Sequence, residues 1–174
     1  MELKKLNFGC GSRFVQSWVN IDFTSSSPQV KAINFLKGFP FADNSFDVVY
    51  SSHVLEHFTI GQAKALLLEA YRVLKPGGIL RVVVPDLENI CREYLRVLSL
   101  PDSDKHKSQY YQWIIIELLD QMARMTPGGE MVKMFQAAKG NDGLRNYIHQ
   151  RTSSFAETTY DHVSFYKKLR TMKA

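Results

Sequence analysis

Leu6-Asn7-Phe8-Gly9-Cys10-Gly11-Ser12, followed by Trp18-Val19-Asn20-Ile21-Asp22, decides the fold of this 174-residue chain. An apolar strand ends on two glycines, and a second strand begins almost at once and closes on a carboxylate. Glycines at a strand end let a ligand approach main chain that a Cβ shields elsewhere. An acid closing the next strand can accept hydrogen bonds from both hydroxyls of a ribose. Together they read as a cradle for a nucleoside.

Spacing separates the nucleoside cofactors. A dinucleotide site uses G-x-G-x-x-G opening a full helix, whose N-terminus faces the pyrophosphate. Here Phe14 stands at the third glycine position. Only Ser12 to Ser17 separate Gly11 from Trp18, less than two turns at about 3.6 residues per turn. S-adenosylmethionine carries no phosphate, so it needs the glycine turn and the ribose acid but no strong helix dipole. The spacing favours it over a nicotinamide dinucleotide.

Two further blocks follow in order: Phe39-Pro40-Phe41-Ala42-Asp43-Asn44-Ser45-Phe46-Asp47-Val48-Val49-Tyr50-Ser51-Ser52-His53-Val54-Leu55-Glu56-His57-Phe58, and Glu69-Ala70-Tyr71-Arg72-Val73-Leu74-Lys75-Pro76-Gly77-Gly78-Ile79-Leu80. With the glycine turn and Asp22 they resemble the class I S-adenosylmethionine-dependent methyltransferases. The likeness is to the small bacterial and archaeal branch whose second strand follows the glycine turn directly, and it spans about Lys4 to about Tyr94. The resemblance implies that main chain around Gly9, Cys10 and Gly11 meets the methionine end of the cofactor and that Asp22 holds the ribose. It places Asn34 and Phe35 beside adenine, and Ser52 and His53 at the amino-acid end or the methyl-transfer zone. Many relatives carry an acid where Asn34 stands, but its amide oxygen can still accept from the adenine amino group.

His53 and His57 are the bases that the motif itself supplies, since histidine titrates near neutrality. Four residues apart on a short helix, they would share a face. Glu56 is read as a partner in a salt bridge or hydrogen bond. No further ligand has metal-site spacing to the two histidines, so no metal is expected.

Forty-five per cent of the residues are hydrophobic, enough for a sizeable core in one domain of 1–174, with a cofactor-binding part over 1–98 and a helical substrate-lid or dimerisation region over 99–174. No apolar run reaches the roughly 18 residues of a membrane span, and the first residues run straight into a strand instead of a signal-peptide core. A cytoplasmic location is expected. Cys10 and Cys91 read as free thiols, Cys10 being there for its small size. The 22 lysines and arginines exceed the 17 acids, but they are scattered, with short clusters only at Lys4-Lys5 and Lys167-Lys168-Leu169-Arg170. Without a zinc spacing or an aromatic-basic motif, this argues against nucleic acid. The surplus lies in the second half, 13 basic against 9 acidic residues over 91–174, where an anionic substrate would find it.

Strands are read over Leu3 to Phe8, Trp18 to Ile21, Val30 to Phe35, Asp47 to Ser52 and Ile79 to Val84. A helix over Ile60 to Leu74 stops at Lys75-Pro76-Gly77-Gly78, and a second, capped by Asp86, carries Leu87, Ile90, Cys91, Tyr94, Leu95 and Leu98 on one stripe. Right-handed crossovers and the family likeness imply a doubly wound, mainly parallel α/β sheet of Rossmann-like order 3-2-1-4-5, with the cofactor at the crevice between strands one and four. The second half reads as extra helices: Tyr110 to Met125, ended by Thr126-Pro127-Gly128-Gly129; another from Met131; a turn at Asn141-Asp142-Gly143; and a helix over His162 to Met172. Packing on the sheet, or on a second subunit as a homodimer, is preferred to a lid over a hydrophobic substrate. The family's terminal antiparallel strand pair is not expected. The function that follows is methyl transfer to an oxygen or nitrogen nucleophile of a small molecule or a glycan- or lipid-linked metabolite, the alternative being a reduced domain that binds the cofactor without turnover.

Overall fold

A computed structural model describes residues 2–25, 27–123 and 129–152. The chain divides into two compact units, Met1–Pro85 and Asp86–Ala174, each with its own apolar core.

The first unit is built on a five-stranded sheet: β1 (Lys5–Phe8), β2 (Val19–Asp22), β3 (Val30–Ala32), β4 (Phe46–Ser52) and β5 (Leu74–Val83). The order is β3-β2-β1-β4-β5 and every pairing is parallel. This is the Rossmann-like architecture read from the sequence. Leu6, Phe8, Ile21, Phe46 and Val49 are fully buried in its core. Helix α1 (Ile60–Val73) joins β4 to β5 and buries Leu66, Ala70 and Val73, spaced three and four apart on one face. Its start is fixed by a capping box, in which Thr59 and Gln62 satisfy each other's backbone N–H groups.

Local chemistry moves several boundaries. β3 ends at Ala32, short of Phe35, because Asn34 caps a 3-10 turn over Phe35–Lys37 with its side-chain oxygen. β5 starts at Leu74 directly after the helix, where Leu74 pairs with Phe46, and the ladder then jumps so that Ile79 pairs with Val48. Lys75-Pro76-Gly77-Gly78 bulges out between these pairs; proline has no N–H for the ladder, and Gly77 takes φ +76°. The segment read as a helix stop therefore lies within the strand's span.

No helix forms between Gly11 and β2. Two buried asparagines hold that loop instead. Asn20 Nδ2 donates to the carbonyls of Val15 and Trp18 at 3.0 Å each, and Asn7 Nδ2 reaches Asn20 Oδ1 and the Arg13 carbonyl at 3.4 Å. On the far side of the sheet order, Arg72 ties α1 to the chain before β4: it donates to Glu69, to Asp43 and to the carbonyls of Phe39 and Phe41.

The second unit contains α2 (Leu87–Leu98), α3 (Lys107–Ala123), α4 (Gly129–Ala137) and α5 (Asp142–Thr152). Asp86 caps α2 by accepting from Asn89 N–H at 3.0 Å. Val97, Trp113, Met134, Phe135, Leu144 and Ile148 bury against one another, so these apolar residues form a core within the unit. Asn141-Asp142-Gly143 is a helix start where a turn was expected. The Asn141 side chain accepts from Leu144 N–H at 3.1 Å and its carbonyl accepts from Arg145 N–H at 2.9 Å. Glu117 ties two side chains together by accepting from Trp113 Nε1 and from both Nε and Nη2 of Arg151. The Thr126-Pro127-Gly128 break, the Lys167–Arg170 cluster and the helix read over His162 to Met172 lie outside the described residues, as does the question of terminal strands beyond Thr152. Among the described residues, no helix is long and apolar enough to cross a membrane.

Candidate cofactor site

The residues singled out in the sequence meet at the C-terminal ends of the first unit's strands, beside the switch between β1 and β4 where open α/β sheets bind ligands. β1 runs out at Phe8, and Gly9 and Gly11 both take left-handed backbone, φ +66° and +56°. Gly9 N–H donates to the Ile21 carbonyl at 2.9 Å, pinning the turn to β2. The two glycines differ in what surrounds them. A Cβ on Gly9 would lie 2.3 Å from Val54 Cγ2, whereas one on Gly11 would meet nothing within 4 Å. Gly9 is thus needed for packing, and Gly11 leaves bare main chain facing open space.

Asp22 closes β2 and turns onto this loop. Its Oδ2 accepts from Gly11 N–H at 2.8 Å and its Oδ1 lies 3.5 Å from Thr24 N. A carboxylate offers about four acceptor positions, so lone pairs remain for two hydroxyls. Cys10 between the glycines is buried, and its thiol is pushed up to about 12, first by burial and then by the nearby Asp22 charge. It stays protonated at neutral pH and is no nucleophile.

At the end of β3, Asn34 is exposed and its side-chain oxygen accepts from Leu36 N–H at 3.2 Å. The Phe35 ring turns the other way, into the core, at 1% exposure and against Phe8 and Phe39. Phe23, directly after Asp22, is 41% exposed and lies over Phe35 with ring centroids 4.2 Å apart. The sequence reading passed over Phe23; the available signal was an aromatic side chain immediately after the strand-closing acid.

β4 supplies the remaining groups. Ser52 is half-buried at the strand end, and Ser51 before it is fully enclosed, with no hydrogen-bond partner for Oγ among the described residues. His53 leaves the strand with φ +54° and donates its N–H to the Val83 carbonyl at 3.0 Å. His57 ends a single 3-10 turn, Leu55–His57, so the two histidines do not ride on one helix. His53 Nδ1 lies 3.2 Å from Glu56 Oε1. Among the described residues, no group of three or more His, Cys, Asp or Glu side chains is arranged to hold a metal ion.

Residues 6–82, which contain all of these site side chains, match the family model described as a methyltransferase domain. The match takes in 77 of the 174 residues, and over that segment the chain is similar to methyltransferase domains. The methyltransferase match ends just before the close of β5 and takes in every strand of the sheet. Among solved structures, the chain is similar to one in the complex between the Haloferax volcanii Trm112 methyltransferase activator and a methyltransferase, at 16% identity over 64% of this chain and 60% of that chain, with a TM-score of 0.39. It is also similar to a Bacillus halodurans C-125 protein assigned as a methyltransferase, at 19% identity over 83% of this chain and 80% of that one, with a TM-score of 0.38. No curated protein sequence gives a significant match.

Proposed function

We propose that this methyltransferase domain binds S-adenosylmethionine in the cradle at Gly9, Cys10, Gly11 and Asp22 and transfers its methyl group to an oxygen or nitrogen nucleophile of a small molecule or a glycan- or lipid-linked metabolite. The observation that carries the reading is the pair formed by open, left-handed Gly11 and the Asp22 carboxylate bonded to its N–H. The ligand this pair suits has a vicinal diol for the acid and a neutral or zwitterionic body for the bare main chain. A pyrophosphate is a poor fit, because the loop after Gly11 contains no helix to direct N–H groups at it.

When bound, the cofactor supplies an electrophilic methyl on a sulfonium, so the protein needs to orient and, for some acceptors, to take a proton. Asp22 would hold the ribose hydroxyls. Asn34 would address the adenine amino group through its amide oxygen. Phe35 reaches adenine only through its main chain, since its ring is in the core, and Phe23 provides the exposed ring at the same strand end. Ser52 and His53 would lie toward the reacting end, with His53 and His57 as the available proton acceptors. Two free cysteines, Cys10 and Cys91, accord with a reducing, cytoplasmic setting.

Titration calorimetry with S-adenosylmethionine and S-adenosylhomocysteine tests the reading directly. Binding that falls sharply in Asp22→Ala is expected; no heat at millimolar ligand would remove it. A screen of hydroxyl and amine metabolites for S-adenosylhomocysteine release then tests turnover.

A further inference from the structure

We propose that Glu56 is a positioning residue that turns His53 into the proton acceptor of the site, and that the methyl acceptor is a hydroxyl. The proposal rests on the methyltransferase reading and narrows its acceptor from oxygen or nitrogen to oxygen.

The backbone is bent for this contact. His53 is one of two non-glycine residues with positive φ among those described, in a region that costs an L-residue roughly 1–2 kcal/mol. Such conformations persist where surrounding structure enforces them, commonly at functional sites. Here the His53 N–H to Val83 carbonyl bond fixes the bend at the strand exit, and the 3-10 turn that follows carries Glu56 back to the imidazole. The result is Nδ1 of His53 at 3.2 Å from Oε1 of Glu56.

Burial gives the pair a direction. The Glu56 side chain is 12% exposed and the His53 side chain 58%. Neither Glu56 oxygen has an aligned hydrogen bond among the described residues, so the 3.2 Å contact to His53 Nδ1 is what the structure sets against its charge. Leaving a buried carboxylate uncompensated is costly. An ionised carboxylate can only accept, so a bond along this contact requires the proton on Nδ1. Nε2 then keeps its lone pair, on a ring more than half exposed. Catalytic hydrogen bonds are often poorly aligned before substrate binds and tighten afterwards.

An imidazole oriented this way, with a carboxylate behind it to stabilise the cation, is useful chiefly for an acceptor that must lose its proton during transfer. A neutral amine or thioether attacks with a lone pair it already has. An alcohol or phenol is a poor nucleophile until its proton leaves. In the proposed step the acceptor oxygen bonds to the methyl carbon while the carbon–sulfur bond breaks with its electron pair going to sulfur. The hydroxyl proton passes to His53 Nε2, and the resulting imidazolium is offset by Glu56 until it returns the proton to solvent.

The test begins without any acceptor. In protein labelled with 15N-histidine, long-range nitrogen–proton spectra recorded about two pH units above the ordinary histidine pKa report the neutral tautomer, with His53 signals assigned by their loss in His53→Asn. The expected result is Nδ1–H in the wild type, against the Nε2–H form that an unconstrained histidine favours, and reversion toward Nε2–H in Glu56→Ala. Wild-type His53 in the Nε2–H form, with cofactor affinity intact, overturns the dyad and needs no variant to fold. In the acceptor screen, turnover on hydroxyl compounds is expected, with kcat reduced about 100-fold in Glu56→Gln at unchanged KM and unchanged cofactor affinity. Turnover confined to amines, or unaffected by Glu56→Gln, overturns the acceptor assignment. Absence of cofactor binding instead brings down the underlying methyltransferase reading, which calorimetry identifies separately.

Discussion

Gly9 and Gly11 share a backbone conformation and differ in their surroundings, so the same substitution should act mainly on stability at one and on affinity at the other. Gly9→Ala meets both the left-handed penalty and a Cβ 2.3 Å from Val54 Cγ2, and is expected to destabilise the protein by about 2–4 kcal/mol. Gly11→Ala has open space and only the conformational penalty, about 1–2 kcal/mol, but its methyl projects where a ligand would meet main chain. Urea denaturation and calorimetry with S-adenosylhomocysteine separate the two: stability falls further for Gly9→Ala, while affinity falls in Gly11→Ala out of proportion to its stability. Asp22→Ala removes a charged acceptor, and a hydrogen bond to a charged group is worth about 1.5–3 kcal/mol, so affinity should drop roughly 10- to 150-fold. A loss below threefold would show that the ribose does not meet this acid. At this scale the glycines and Asp22 were legible because strand, turn and acid follow each other within 17 residues of sequence. The Phe35 ring was not, because it was read as the end of a strand that stops three residues earlier, at Ala32. The 3-10 turn capped by Asn34 sends it into the core and leaves Phe23 exposed.

Among the elements, one guanidinium makes several of the bonds that join α1 to the chain before β4. Arg72 donates to Glu69 and Asp43 and to two carbonyls, and its own pKa is raised first by the Glu69 bond. Glu69 also accepts from Phe39 N–H at 2.7 Å. These bonds, the Arg72 pair above all, hold its carboxyl below the ordinary glutamate value of 4.5. A carboxyl with a depressed folded pKa stabilises the fold above its unfolded value and loses that contribution as pH falls through the folded pKa. Urea midpoints should therefore decline as the solution is acidified below about pH 4.5, and Glu69→Gln should show a shallower decline in that window. Asp47, lowered chiefly by its bond to Lys75, supplies part of the remaining slope. An identical acid profile in Glu69→Gln would mean that the bonds drawn to Arg72 do not persist in solution. Helices α1 and α2 were readable because their apolar residues repeat at three and four. β5 began earlier than read and α5 was not read as a helix, since Pro-Gly-Gly looks like a stop even when it bulges out of a ladder. Asn-Asp-Gly likewise looks like a turn even when its asparagine caps a helix.

On the scale of the whole molecule, two units with separate apolar cores carry different parts of the sequence's information. The first holds the segment 6–82 that matches the methyltransferase-domain model, and its five strands and their order could be placed from the sequence. In the second, apolar helices announce only that they must be covered, and periodicity does not say by what. The structure answers with mutual packing: Trp113 is fully buried, lies 5.4 Å from the Phe135 ring by centroids, and donates Nε1–H to Glu117 at 2.8 Å. Truncating it removes a large buried ring and leaves Glu117 short of a donor, so Trp113→Ala should cost about 3–5 kcal/mol. The cradle residues all belong to the first unit, and S-adenosylhomocysteine affinity is expected to stay within about threefold of wild type under conditions where the variant remains folded. Hydrogen exchange can locate the damage, with protection lost over 87–152 and kept over 5–83. Loss of cofactor affinity in parallel with that protection would show instead that the helical unit completes the cofactor site, and the methyl-transfer machinery would then have to be sought in both halves of the chain.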